Sequence, residues 1–97
     1  MRSVWITIPE AIQPLDRGDR FDLPLVDELE AANVGDVVGG GSLVRDGTIA
    51  ECNIELEIAD IETALPIIRR VLRAGNAPSG TTIQQRSPEL IDYSYDG

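Results

Sequence analysis

An α+β fold is what this sequence predicts: a four-stranded antiparallel sheet with two helices on one face. Three features carry the prediction. Apolar and polar residues alternate at positions 4–8 and 52–58, the period of a strand buried on one side only. Asp46-Gly47 separates two strand-like runs, a strong signal for a two-residue hairpin. Apolar residues recur at helical spacing in two further stretches, one after the first strand and one after the hairpin. The 97 residues suit one hydrophobic core, and 1–97 read as a single domain.

The first strand is Val4–Ile8, with Val4, Ile6 and Ile8 on one side, Trp5 and Thr7 on the other, and Pro9 at its end. Residues 9–21 contain two prolines and a glycine around the charged run Asp16–Arg20, and they predict a long loop. Asp22 is placed to cap the first helix, with Pro24 in its first turn and Phe21 stapled against Val26. That helix ends near Asn33 and Gly35, both able to adopt positive φ. Strand two follows through Gly39, Gly40 and Gly41 to the hairpin turn. In strand three, Cys52, Ile54, Leu56 and Ile58 alternate with Glu51, Asn53, Glu55 and Glu57. Register is strongly specified there, since a one-residue slip would bury three glutamates. Asp60 caps the second helix, Gly75 ends it, and Pro66 inside it predicts a kink or a delayed start. Residues 81–86 make the last strand, and the 87–97 tail either adds an edge strand or stays partly loose.

The order βαββαβ, with a tight hairpin joining the middle strands, is the ferredoxin-like arrangement. In that arrangement the second strand lies at a sheet edge and the third lies beside the first.

Composition narrows the function. Seventeen acidic residues face eight basic ones, giving a net charge of −9, and every basic residue is arginine. Such a surface repels nucleic acid and anionic lipid, which need cations to neutralise phosphate, and it steers in a basic partner. The chain has no histidine, which removes the usual general base near neutral pH, most zinc sites and the nucleophile–histidine dyads. No catalytic residue, metal or cofactor is therefore expected. The lone Cys52 has no partner for an internal disulfide and reads as a small buried hydrophobe. No run approaches the roughly 18 apolar residues of a membrane span, and the opening residues lack a signal-peptide pattern, so a cytoplasmic protein is expected.

The run "GDVVGGGSLV" tempts a phosphate-loop reading. A P-loop requires a lysine and a following helix, whereas this run leads into a hairpin in a chain without lysine. Gly39, Gly40 and Gly41 instead mark an edge strand with a bulge, a bend or the close approach of another backbone. The Arg17-Gly18-Asp19 tripeptide matches an integrin motif by letter only. Glu51, Glu55 and Glu57 share one sheet face with Trp5 and Thr7. Extended carboxylates rarely converge on one ion, so this face is either merely solvated or an aromatic anchor rimmed by acids. It gives the candidate partner-binding residues Trp5, Thr7, Glu51, Glu55 and Glu57, extended by Arg17 in the long loop and by the glycine edge. Whether Trp5 is open or covered by Leu90, Ile91 or Tyr93 of the tail is left undecided by the sequence.

The stretches "LDRGDRFDLPLVDELEAANVGDVVGGGSLV", "ECNIELEIAD" and "IETALPIIRRVL" together resemble small bacterial ferredoxin-like proteins of unassigned activity. In size and acidity the chain is similar to immunity proteins that neutralise basic bacterial toxins. The resemblance implies a non-catalytic inhibitor of a cationic protein. Two other classes stay open: a dimerising, small-molecule-sensing regulatory domain, and an enzyme working through carboxylates with Arg17 or Arg20.

Overall fold

A computed structural model describes residues 1–95. Five antiparallel strands form one sheet: β1 (Arg2–Ile8), β2 (Gly35–Arg45), β3 (Thr48–Ile58), β4 (Thr82–Ser87) and β5 (Ile91–Tyr93), in the spatial order β2-β3-β1-β4-β5. The sheet thus has five strands where the sequence predicts four. The added strand comes from the 87–97 tail and pairs with β4 through Ile83↔Tyr93, Gln84↔Asp92 and Gln85↔Ile91; residues 96 and 97 lie outside the described residues.

Alternation sets the register. Val4, Ile6 and Ile8 face Leu56, Ile54 and Cys52 across β1 and β3, and all six side chains are fully buried. Asp46 and Gly47 both take positive φ, the requirement of a type I′ hairpin turn. β1 reaches only Cys52 of β3, so residues 48–51 and their partners in β2 overhang the sheet by about 13 Å at the rise of a strand.

The helices cover the buried face. α2 (Leu23–Ala31) contributes Leu25 and Leu29 to the core, and α3 (Ile61–Ala74) contributes Ala64, Ile67, Ile68, Val71 and Leu72. Asp60 caps α3, accepting from the Thr63 N–H and hydroxyl. The helix runs unbroken through Pro66 from Ile61.

The predicted loop at 9–21 is mostly helical. α1 (Pro14–Arg17) passes through a π-helical turn (Gly18–Asp22) directly into α2. Pro14 suits a first turn, where its missing N–H is not needed. Tertiary contacts override the remaining breakers: Ile12 and Phe21 are buried, and the Arg20 guanidinium donates to Glu10 at 2.6 Å and to the Gly75 carbonyl at 2.7 Å. Arg20 thereby neutralises the C-terminal end of α3. Asp22 is correspondingly not a cap. Its backbone is helical and its side chain makes no capping bond, accepting instead from Arg17 Nε at 3.3 Å. Nor does Phe21 staple the helix entry: it packs so closely on Gly75 that a Cβ there would lie 2.5 Å from its ring.

The three consecutive glycines of β2, Gly39, Gly40 and Gly41, have different surroundings. Val38 is an extra residue in the β2–β3 ladder, a bulge that twists the edge. On the helix face the Arg17 guanidinium lies over Gly40, where a Cβ would meet it at 3.2 Å and the Asn53 carbonyl at 2.9 Å. On the other face the Glu55 carboxylate occupies the space beside Gly39, 2.8 Å from a Cβ there. Gly41 has room, with only Asn53 Oδ1 at 3.4 Å.

Neighbouring glycines should therefore respond differently. Gly40→Ala is expected to cost about 1–3 kcal/mol, the range for forcing atoms into a packed site. Gly41→Ala should stay within about 0.5 kcal/mol of wild type; chemical denaturation of both variants checks the contrast.

A pH experiment tests the Arg17–Asp22 pair. Burial raises the Asp22 carboxyl above its usual range, against the opposing pull of the Arg17 charge. Its contribution to stability is full below the unfolded value near pH 4 and is lost as pH rises through the folded value. Thermal melts should show wild type gaining on Asp22→Asn as pH falls from neutral toward 4.

Candidate functional site

The sheet face opposite the helices is built from the outward residues of every strand. Trp5 stands near its centre, opposite Glu55 on β3 and Gln84 on β4. Thr7 stands opposite Asn53, and Ser3 opposite Glu57. Leu43 of β2 faces Glu51. A shallow cavity of about 260 Å³ opens between Trp5, Thr7, Leu43, Glu51, Asn53 and Arg86. The face is acidic along β3 and apolar at Trp5 and Leu43.

Trp5 is half-buried, and its cover is Arg86, whose guanidinium lies 4.0 Å from the ring centroid. This is cation–π geometry. A relay of hydrogen bonds holds the arginine: Arg86 Nε donates to Gln84 Oε1 at 3.1 Å, and Gln84 Nε2 donates to Asp92 Oδ1 at 2.9 Å. Asp92 belongs to β5, so the added strand orients the group that covers the tryptophan. The tail itself does not lie over Trp5. Ile91 and Tyr93 align with the inward residues Gln85 and Ile83, Leu90 is exposed, and the chain continues along α3, where Arg69 donates to the Ser94 carbonyl and Tyr95 to the Ala77 carbonyl.

The structure thus brings Trp5, Thr7, Glu51 and Glu55 together, with Glu57 further along β3. It places Arg17 on the opposite side of the sheet. There Arg17 pairs with Asp22 and donates to the Gly41 carbonyl at 3.2 Å, so the open face does not extend to it. Gly39 and Gly41 align with Glu55 and Asn53 on the open face, and Gly40 with inward Ile54. Sequence reasoning missed Arg86, Gln84, Asp92 and Leu43. The alternation of β4 held a signal for Gln84, but nothing local placed Arg86 over a ring 81 positions earlier.

A larger cavity, about 400 Å³, lies on the helix side between the π turn and the end of α3, lined by Asp19, Arg20, Pro24, Glu28, Val71 and Asn76. Its one converging cation, Arg20, is committed to Glu10 and the Gly75 carbonyl, so this cleft is a seam between helices. Burial raises the Cys52 thiol above its usual value, which keeps it protonated and weakly nucleophilic. Among the described residues no three cysteine or acidic side chains converge as ligands, and no helix is long and apolar enough to cross a membrane.

Trp5 is the chain's only tryptophan, so its emission reports on this site alone. Arg86→Ala should shift that emission to the red and cost about 0.5–1 kcal/mol, the value of an exposed cation–π contact. Gln84→Ala should give a smaller shift by loosening Arg86, as steady-state fluorescence can show. No protein-family model, curated protein or solved structure matches this chain.

Proposed function

We propose that this chain is a non-catalytic, acidic binding domain whose open sheet face takes a cationic segment of a basic protein, in the manner of an immunity-type inhibitor. The carrying observation is the Arg86 guanidinium stacked on Trp5 beside the glutamates of β3. The face already holds a cation of its own, in the geometry a partner's arginine or lysine would adopt. Aromatic anchors of this kind dominate binding energy, and surrounding charges set the rate of encounter. Net charge of −9 favours the same class of partner. The fold that accompanies this proposal is a ferredoxin-like sheet with one strand added at its β4 edge, supported by the order β2-β3-β1-β4 and by α2 and α3 lying on one face.

Once affinity capture supplies a basic partner, binding kinetics of three variants test the proposal. Trp5→Ala should weaken binding by about 2 kcal/mol or more. A Glu51/Glu55/Glu57 triple alanine variant should slow association, most clearly at low salt. Arg86→Ala vacates the ring and should leave affinity equal or tighter. Unchanged affinity and on-rate for both Trp5→Ala and the triple variant would overturn the proposal.

A further inference from the structure

The outer edge of β2 pairs with nothing among the described residues. Exposed edges are normally blunted by brevity, proline, lysine or inward charge. β2 is eleven residues long and contains neither proline nor lysine; it carries a bulge at Val38, and its charges stand only toward its ends, at Asp36 and Arg45. It exposes Val38, Leu43 and Val44 at 56%, 40% and 58%; no other strand of the described residues exposes large apolar side chains to this degree.

Residues 36–45 read alike from both ends: charge, apolar pair, small residues, apolar pair, opposite charge. A two-fold axis through Gly41, normal to the sheet, would set Gly40 against Ser42 of a second copy. Gly39 would then meet Leu43, Val37 would meet Val44, and Asp36 would meet Arg45. Val38 is the extra residue in that alignment, as it already is against β3. The bulge therefore absorbs the one-residue difference between the two halves and brings the end charges into register. Paired residues fall on the same face, which an antiparallel ladder requires.

Among the described residues neither end charge has an ion-pair partner. Asp36 stands opposite Glu57, a like-charge pairing that costs stability, and its side chain accepts only from the adjacent Val37 N–H. Arg45 is the one arginine of eight whose side chain makes no hydrogen bond, ion pair or aromatic contact among the described residues. The other seven all donate to named acceptors.

We propose that β2 pairs antiparallel with β2 of a second copy, forming a symmetric dimer with one continuous sheet and reciprocal Asp36–Arg45 contacts. Two copies each carrying −9 repel, and the two Arg17 guanidinium groups approach near the axis; each stays paired with its own Asp22. At physiological salt, screening over about 8 Å limits the long-range part of the repulsion. The dimer leaves the Trp5 faces free, side by side on one surface and separated by five strand spacings, about 24 Å. The pairing is independent of what those faces bind.

Charge exchange tests it. Sedimentation equilibrium at physiological salt should give a dimer for wild type, a monomer for D36R and for R45D, and a dimer again for the D36R/R45D double variant. Both positions are exposed, so thermal melts should show all four proteins folded. Hydrogen exchange on wild type supplies an independent readout, with protection of the β2 amides rising with protein concentration. A monomeric wild type, single variants that remain dimeric, a double variant that stays monomeric, or concentration-independent exchange in β2 would each overturn the proposal.

Discussion

Everything in this molecule hangs on the register between β1 and β3. Seven consecutive pairs, from Arg2↔Ile58 to Ile8↔Cys52, decide which side chains of both strands face the helices. Because the period of a strand is two, a slip by one residue would turn Glu55 and Glu57 inward and expose Ile54 and Leu56. With the register fixed, one face must be covered by α2 and α3, and the other must present Trp5 among carboxylates. Two polar side chains are buried among the described residues, Thr81 and Gln85, and the one fully enclosed is Gln85. It is accommodated because Arg2 donates to its oxygen and its amide nitrogen donates to the Glu89 carbonyl.

Arginine does the work that a mixed cation set would share in other proteins. Arg17 lies over Gly40 and joins the first helical segment to the edge strand, while Arg20 clasps the end of α3. Arg70 ties α3 to α2 through Glu28, and Arg69 and Arg73 hold the tail by its carbonyls. Bonding to carbonyls and carboxylates in a planar fork suits guanidinium better than ammonium. Apart from Arg45, the cations are engaged within the fold, and the acidic residues outnumber them about two to one.

The strands, the hairpin turn and α3 were legible because each is dictated locally: alternation in Cys52–Ile58, the turn chemistry of Asp46-Gly47, and the Asp60 cap with helical spacing behind it. Residues 9–22 were not, because Pro14 and Gly18 are breakers by intrinsic preference. What makes that segment helical lies far away in sequence, in the contacts of Phe21 and Arg20 with Gly75. Asp22 misled for the same reason, since a residue suited to cap a helix serves here as the half-buried partner of an arginine. For the candidate site, Trp5 and the glutamates followed from alternation alone. Arg86 depended on a shift in the β1–β4 pairing beside Ser3, and no local pattern announces that.

The central position of β1 bears on how the chain is made. Of the five strands it is made first, so it has no sheet neighbour until β3 emerges, and its other flank stays open until β4 follows at residues 82–87. Chains built on such distant pairings close late and slowly, and their unpaired strands are exposed to aggregation in the interval. Of the five strands, β1, with Val4, Ile6 and Ile8 along one side, is the one whose two edges wait longest for partners.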